Sequence, residues 1–343
     1  MTARKKFAGL TAFAAGALAC ALCAAPAGAA PAPMSAEAAF AQAQNTAIAQ
    51  ADQVLAALGD ASGGYYLDNG KAVVTVLNDA GAQKVQAAGL TAKKVSHSFA
   101  ALTGVKEKLD SVRDVPQTAW GIDTSTNQVV VTVYSAATPA TAEKVTTAAK
   151  QYGDSVRIEH RTGKLELYIA DGDAIQNSQA RCSLGFNVKR GSTPYLLTAG
   201  HCTNLGGTWS GGDVSGARVV ESDCPGADSG LLTRPNGSGP GRINTGQAIT
   251  SAAAPKVGER ISKQGSTTGG GTGQVTSVDQ SVNFDVGVLN HEFGTTAHTD
   301  HGDSGGPAYD GSKGLGTLSG GSPSVSYFYP LTRELSSYGL TLA

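Results

Sequence analysis

The sequence is poor in charge. Only 15% of its 343 residues are Asp, Glu, Lys or Arg, and 26 basic residues against 27 acidic ones leave a formal net charge of −1. A chain held to nucleic acid through phosphate contacts, or to a membrane through a polybasic surface, needs an excess of positive charge that is missing here. Cysteine is scarce too, with five in all. Two of these, Cys20 and Cys23, fall in an apolar run at the N-terminus, which leaves Cys182, Cys202 and Cys224. In an oxidising compartment that count suggests one bridge and one thiol left over. After the N-terminal run, no apolar stretch is long enough to cross a membrane. What is present is a 41% hydrophobic content, enough for a packed core and too much for wholesale disorder. The length suggests two or three units.

Lysine is scarce in one part only. Residues 169–343 hold 4 lysines, and they hold 32 of the 45 glycines. A glycine-rich, turn-rich, lysine-poor stretch reads as an all-β domain of many short strands. The chain is therefore built of two differently composed pieces behind a leader. The leader spans 1–30: Arg4, Lys5 and Lys6, an Ala-rich apolar run from Phe7 to Ala25, then Ala27, Gly28, Ala29 and Ala30 as a small-residue cleavage site. That is the pattern of a secretory signal peptide, and it predicts an extracellular protein. The alternative, a membrane anchor, is disfavoured by weakly apolar alanine and by Pro26.

Residues 31–168 read as an α+β region. Ser35 can cap a helix over Ala36 to Leu58, with Gly63-Gly64 as its end. Ala72 to Leu77 reads as a strand followed by a helix over Ala80 to Ala88. Val129 to Tyr134 and Ala140 to Tyr152 repeat that order. No catalytic constellation is visible here, and His97 and His160 read as isolated surface residues.

Two motifs carry chemistry. One is Leu197-Thr198-Ala199-Gly200-His201-Cys202, the other Gly302-Asp303-Ser304-Gly305-Gly306-Pro307. A serine hydroxyl is a poor nucleophile until a base takes its proton, and that base needs an acceptor to fix its tautomer. His201, at the end of an apolar strand, supplies the base for Ser304. The flanking glycines allow a tight turn, so that the Gly302 and Ser304 N–H groups can aim at one oxyanion. A carboxylate should lie between them in sequence. Asp228, just before the apolar run Leu231-Leu232, is preferred over Asp213 and Asp223. The resulting order is His201, Asp228, Ser304. The chemistry needs no cofactor and no metal. His298, Asp300 and His301 cluster ahead of the nucleophile, but His-x-x-His on a loop supplies too few ligands for a metal.

These motifs, together with Arg181-Cys182-Ser183-Leu184-Gly185-Phe186-Asn187-Val188, Gly265-Ser266-Thr267-Thr268-Gly269, Leu318-Ser319-Gly320-Gly321-Ser322 and Leu335-Ser336-Ser337-Tyr338-Gly339, resemble the bacterial chymotrypsin-fold serine endopeptidases of the streptogrisin and α-lytic type. The resemblance spans residues 169–343. Residues 31–168 resemble the pro-region of that family more loosely. It implies a mature domain of two six-stranded antiparallel β-barrels with the cleft between them, preceded by the α+β pro-region. It further implies a Cys182–Cys202 disulfide beside the catalytic histidine. Ser319, Gly320 and Gly321 would form an edge strand that pairs with substrate backbone and walls the pocket for the residue before the scissile bond (P1). In such a family the pro-region assists folding and then inhibits until degraded.

Ile169-Ala170-Asp171-Gly172-Asp173 resembles the family's mature N-terminus, and Tyr168 before it is a large aromatic P1 residue. Self-cleavage after Tyr168 would release residues 169–343, expected as a monomer. Partners are then protein or peptide substrates and the chain's own pro-region.

The chain departs from the family in places. His298 stands where the first cysteine of a second bridge is expected, and a missing native bridge commonly costs about 2–5 kcal/mol. Cys224 has no counterpart and is expected as a buried free thiol. His301 at the pocket entrance could favour an acidic P1 residue. Glutamate-preferring relatives, however, carry a pocket histidine where this chain has Leu318, so a large apolar or aromatic P1 residue is expected. Because His201 must start neutral, activity should rise through roughly pH 6–7. The competing reading, a secreted homologue that binds without catalysis, sits poorly with an intact His201, Asp228 and Ser304.

Overall fold

A computed structural model describes residues 36–167 and 173–343, apart from 213, 236, 238 and 240. The leader, Ser35, Tyr168, Ile169 and Asp213 lie outside the described residues. Among those described, no helix is long and apolar enough to cross a membrane.

The N-terminal region contains one pattern twice: helix, strand, strand, helix, strand. The first copy is α1 (Ala36–Leu58), strands Ser62–Asp68 and Lys71–Val76, α2 (Asp79–Ala87) and strand Thr91–Lys94. The second is α3 (Phe99–Leu109), strands Thr118–Asp123 and Gln128–Tyr134, α4 (Pro139–Lys150) and strand Val156–Arg161. In each copy the first two strands are antiparallel and the third joins the second in parallel. Side-chain caps start the helices. Asn78, Ser98 and Thr138 accept from the backbone N–H three residues on, and Pro139 occupies the first turn of α4, where its missing N–H costs nothing. The first helix spans Ala36–Leu58, the limits expected from the sequence, and Gly63-Gly64 lie beyond its end. Those two glycines belong to the next strand, where Gly63 packs under Thr75 and Val95. His97 is also less isolated than its sequence context suggests: it is half-buried, its backbone is held on both sides by the Asn127 amide, and its ring is 3.5 Å from Asp154.

The C-terminal region is almost entirely antiparallel sheet, in two systems. The first runs Thr341–Leu342, Phe186–Arg190, Thr193–Thr198, Ser229–Thr233, Val214–Asp223, Thr208–Gly211, Ala174–Gln176, Arg181–Ser183. The second closes on itself. Strands Arg260–Gly265, Pro307–Asp310, Lys313–Ser322, Val325–Pro330, Gly287–Thr295 and Gly269–Phe284 follow in that order, and the last pairs back onto the first. Closure leaves edges only where the long strands Gly269–Phe284 and Lys313–Ser322 run past their barrel partners. Its core is Ile261, Val275, Phe293, Leu315, Leu318 and Phe328.

Strand addition ties the two regions together. The outer half of Gly269–Phe284 pairs with Thr118–Asp123, so three N-terminal strands extend the barrel sheet. Ala119, Tyr134 and Leu165 then share a core with Val282, Phe284, Leu289 and Tyr327. The first copy docks separately. Leu67 N–H donates to the Val257 carbonyl at 2.8 Å, and the Gln44 side chain pairs with both backbone groups of Arg260. Gly258 has φ +83°, and a Cβ there would run into the Leu67 peptide. Gly258→Ala should therefore destabilise the full chain by about 1–3 kcal/mol through backbone strain and lost docking. Equilibrium unfolding measures this directly, and an unchanged midpoint would contradict it.

Two fully buried acids brace this architecture. Glu259 accepts from Lys256 N–H and Lys313 Nζ at the docking site. Glu334, on α6 (Leu331–Tyr338), accepts from the Ser229 and Thr317 hydroxyls. Burial is the main cause that pushes Glu259 up to about 7, against the opposing pull of Lys313. Burial likewise pushes Glu334 up to about 8, with Asp228 adding to the shift against the two hydroxyl bonds. The folded state therefore holds protons that the unfolded chain gives up near pH 4.5. This contribution to stability is complete below pH about 4.5 and is lost as pH rises through about 7 and about 8. Each proton steepens the loss by up to about 1.4 kcal/mol per pH unit. The double variant Glu259→Gln/Glu334→Gln should lose less stability between pH 5 and pH 8 than the unaltered chain, as followed by denaturant unfolding. Parallel curves would contradict this.

Candidate active site

The strand Thr193–Thr198 leads through Ala199 into the single turn α5 (Gly200–Thr203), which carries His201. Asp228 ends the loop before strand Ser229–Thr233, which pairs directly with Thr193–Thr198. That pairing brings the two residues together. The His201 N–H donates to Asp228 Oδ1 at 2.7 Å, and ring Nδ1 lies 2.8 Å from Oδ2. Asp228 is completely buried. With Nδ1–H donating to the carboxylate, the neutral ring keeps its lone pair on Nε2, the tautomer a general base needs. Of the rival acids, Asp223 is exposed. Cys182 and Cys202 are bonded, and Cys202 Sγ lies 3.7 Å from His201 Nε2.

Ser304 is carried by the turn between the second barrel's strands Gly287–Thr295 and Pro307–Asp310. Gly302 has φ +120° and Gly305 φ +83°, which L side chains adopt only with strain. A Cβ on Gly305 would also meet Thr198 and Ala199. The turn thus packs onto the segment that enters His201. Ser183 fastens the two: its N–H donates to the Ser304 carbonyl at 2.7 Å, and its carbonyl accepts from Thr198 Oγ1. The Ser304 hydroxyl donates to the Ser319 carbonyl at 3.2 Å. Histidine and acid therefore come from the first sheet system and serine from the second, with the Ser304 turn packed against the segment that enters His201.

Asp303 anchors the turn from below. It is buried and accepts from the N–H groups of Thr267, Thr268 and Asp300, from the Thr268 hydroxyl, and from Lys263 Nζ at 3.4 Å. Burial lowers the Lys263 pKa, and Asp303 partly restores it. Sequence reasoning did not single out this pair, because an Asp beside the nucleophile reads as part of the motif and a lone Lys reads as surface.

The remaining sequence-predicted residues fall as follows. Ser319, Gly320 and Gly321 are buried along strand Lys313–Ser322. Gly320 and Gly321 pair antiparallel with Leu167 and Glu166 of the N-terminal region. His298, Asp300 and His301 are exposed, and His301 N–H donates to Asp300 Oδ1. Cys224 is a half-buried free thiol packed against the apolar cluster that includes Leu165, Leu289 and Tyr327. Burial, then the charge and hydrogen bond of Asp228, push its pKa up. Glu292 and Glu334, both fully buried near Asp228, had no signal in the sequence beyond being acids in apolar strand and helix contexts.

Two family models match the N-terminal region: "Alpha-lytic protease pro N-terminal" over residues 35–95 and "Alpha-lytic protease prodomain" over 97–153. They fall on the two structural copies, the second ending before strand Val156–Arg161. Among curated proteins, Streptogrisin-D of Streptomyces griseus is 38% identical over 295 residues, covering 82% of this chain and 75% of that protein. Serine protease 1 of Streptomyces fradiae is 37% identical over 340 residues, covering 93% of each. Glutamyl endopeptidase 2 of Streptomyces griseus is 40% identical over 187 residues, covering 51% of this chain and 99% of that protein. Matches of this extent, over a mostly-sheet architecture of two sheet systems behind an α+β region, settle the family: the chain belongs to the streptogrisin and α-lytic type of chymotrypsin-fold serine endopeptidase precursors.

Proposed function

We propose that the chain is a secreted, self-processing endopeptidase in which 1–30 is a signal peptide, 31–168 a pro-region and 169–343 the mature enzyme. The observation that carries the catalytic reading is the buried Asp228 carboxylate, with both oxygens on His201, beside the glycine-built turn of Ser304. Ser304 Oγ attacks the scissile carbonyl while His201 Nε2 takes its proton. Asp228 holds the ring and stabilises it once charged. The Gly302 and Ser304 amides receive the oxyanion, His201 protonates the leaving amine, and water repeats the sequence to free the enzyme. No cofactor or metal enters any step.

Ser319, Gly320 and Gly321 bind the substrate backbone. Leu167 and Glu166 directly precede the proposed P1 residue Tyr168, and their antiparallel pairing on Gly320 and Gly321 has the form that an extended substrate would take. The pro-region would then leave its own tail in the cleft as an inhibitor after cutting between Tyr168 and Ile169. An apolar or aromatic P1 preference follows from Tyr168. Glutamyl endopeptidase 2 raises the alternative of an acidic P1 residue. Leu318 is buried and apolar and offers no cation to pair with one.

Ser304→Ala should abolish turnover and leave the precursor uncut. Asp228→Asn should lower kcat by about 10⁴-fold through the wrong tautomer. Intact-mass analysis of the secreted protein and digestion of a peptide library read out both the processing site and P1. Full activity in Ser304→Ala, or cleavage mainly after Glu, would contradict the reading.

A further inference from the structure

Two buried acids flank the Asp228–His201 pair without a place in the relay above. Glu334 is a brace, since its hydroxyl donors Ser229 and Thr317 tie helix α6 to strands of both sheet systems. Glu292, on strand Gly287–Thr295, is differently placed. Its Oε1 accepts from the Ser319 hydroxyl at 3.0 Å. The carbonyl of the same Ser319 accepts from the Ser304 hydroxyl at 3.2 Å. Two hydrogen bonds thus run from Glu292 through one residue to the proposed nucleophile. Ser319 is also the first residue of the Ser319-Gly320-Gly321 stretch, on which Leu167 and Glu166 pair through Gly320 and Gly321.

We propose that Glu292 is a positioning residue for peptide-bond hydrolysis: by holding the Ser319 hydroxyl it fixes the Ser319 carbonyl, and so sets where the Ser304 hydroxyl rests before attack. This rests on the reading of Ser304 as nucleophile. The second Glu292 oxygen, Oε2, is buried and has no hydrogen-bond partner among the described residues. A charge there would be unsolvated, so the acid stays protonated. Burial pushes its pKa well up, the charge of Asp228 pushes the same way, the Ser319 bond opposes, and Glu334 adds to the rise. The other titratable groups facing it are Cys224, Tyr327 and Tyr329, all with raised pKa values and so uncharged near neutrality. Asp228 is then left as the only anion acting on His201 among these neighbours. Glu292 gives Ser319 an acceptor without adding a second charge to the relay.

The test uses the full chain, allowed to mature, assayed on a peptide amide, with competent sites counted by fluorophosphonate titration. Glu292→Gln keeps the acceptor and the neutrality. It should hold kcat within about threefold and leave the acidic limb of the pH profile in place. Glu292→Leu removes the acceptor. Its kcat per titrated site should fall about tenfold or more, with KM little changed, because a displaced nucleophile costs rate rather than binding. Its thermal midpoint should change little, because removing the unsatisfied Oε2 offsets the cost of leaving the buried Ser319 hydroxyl without its acceptor. Glu292→Met serves if the Leu variant does not accumulate. An unaltered kcat in the Leu or Met variant overturns the proposal. So does a kcat loss that tracks a fall in thermal midpoint and is shared by Glu292→Gln. A shift of the acidic limb by more than about half a pH unit in Glu292→Gln also overturns it, since that would mean Glu292 carried charge. Full activity in Ser304→Ala would instead sink the underlying assignment of the nucleophile.

Discussion

One buried carboxylate organises the centre of this molecule. Both Asp228 oxygens are committed to His201, one to its backbone and one to its ring. The backbone bond pins the turn α5, and the ring bond selects the tautomer that leaves Nε2 as a base. A carboxylate this buried is tolerable only because its neighbourhood is arranged around it. Ser229, the next residue, is held through its hydroxyl by Glu334 and through its carbonyl by Tyr338. Both holders lie on the C-terminal helix, so the last helix of the chain braces the loop that carries the acid. The Cys182–Cys202 bond fixes the histidine turn from the other side.

Backbone pairing recurs as the means of joining parts. Three strands of the N-terminal region extend the second barrel at Gly269–Phe284, and two residues of the same region pair on Lys313–Ser322. The first contact is broad, carries an apolar core with Tyr134 and Leu165, and gives affinity. The second occupies the stretch proposed for substrate. One region therefore both extends the barrel sheet and pairs along the stretch proposed for substrate.

The sequence was most legible where spacing and chemistry are local. The helices α1, α2 and α4 and the strands just before α2 and α4 were close to their observed limits, because α2 and α4 have side-chain caps and both strands are runs of β-branched residues. The motifs around His201 and Ser304 stand out in the sequence, and the structure places Asp228, an acid at a strand entry, against the His201 backbone and ring. Half of the N-terminal repeat was missed. Strand Ser62–Asp68 begins with Gly63-Gly64, α3 contains Gly104, and Thr118–Asp123 owes its place to a partner strand more than 150 residues away. Long-range partners leave no local trace. The same holds for Glu292, Glu334 and the Asp303–Lys263 pair, whose roles come from what surrounds them after folding. Tyr168, Ile169 and the leader lie outside the described residues, so those readings rest on sequence alone.

The most direct test of the central claim is where a serine-directed fluorophosphonate attaches. Peptide mapping of the labelled mature protein should find one adduct, on Ser304, with peptidase activity lost in proportion. Labelling should collapse when His201 is replaced by Ala. An adduct on another residue, or peptidase activity that survives complete labelling of Ser304, would contradict the account.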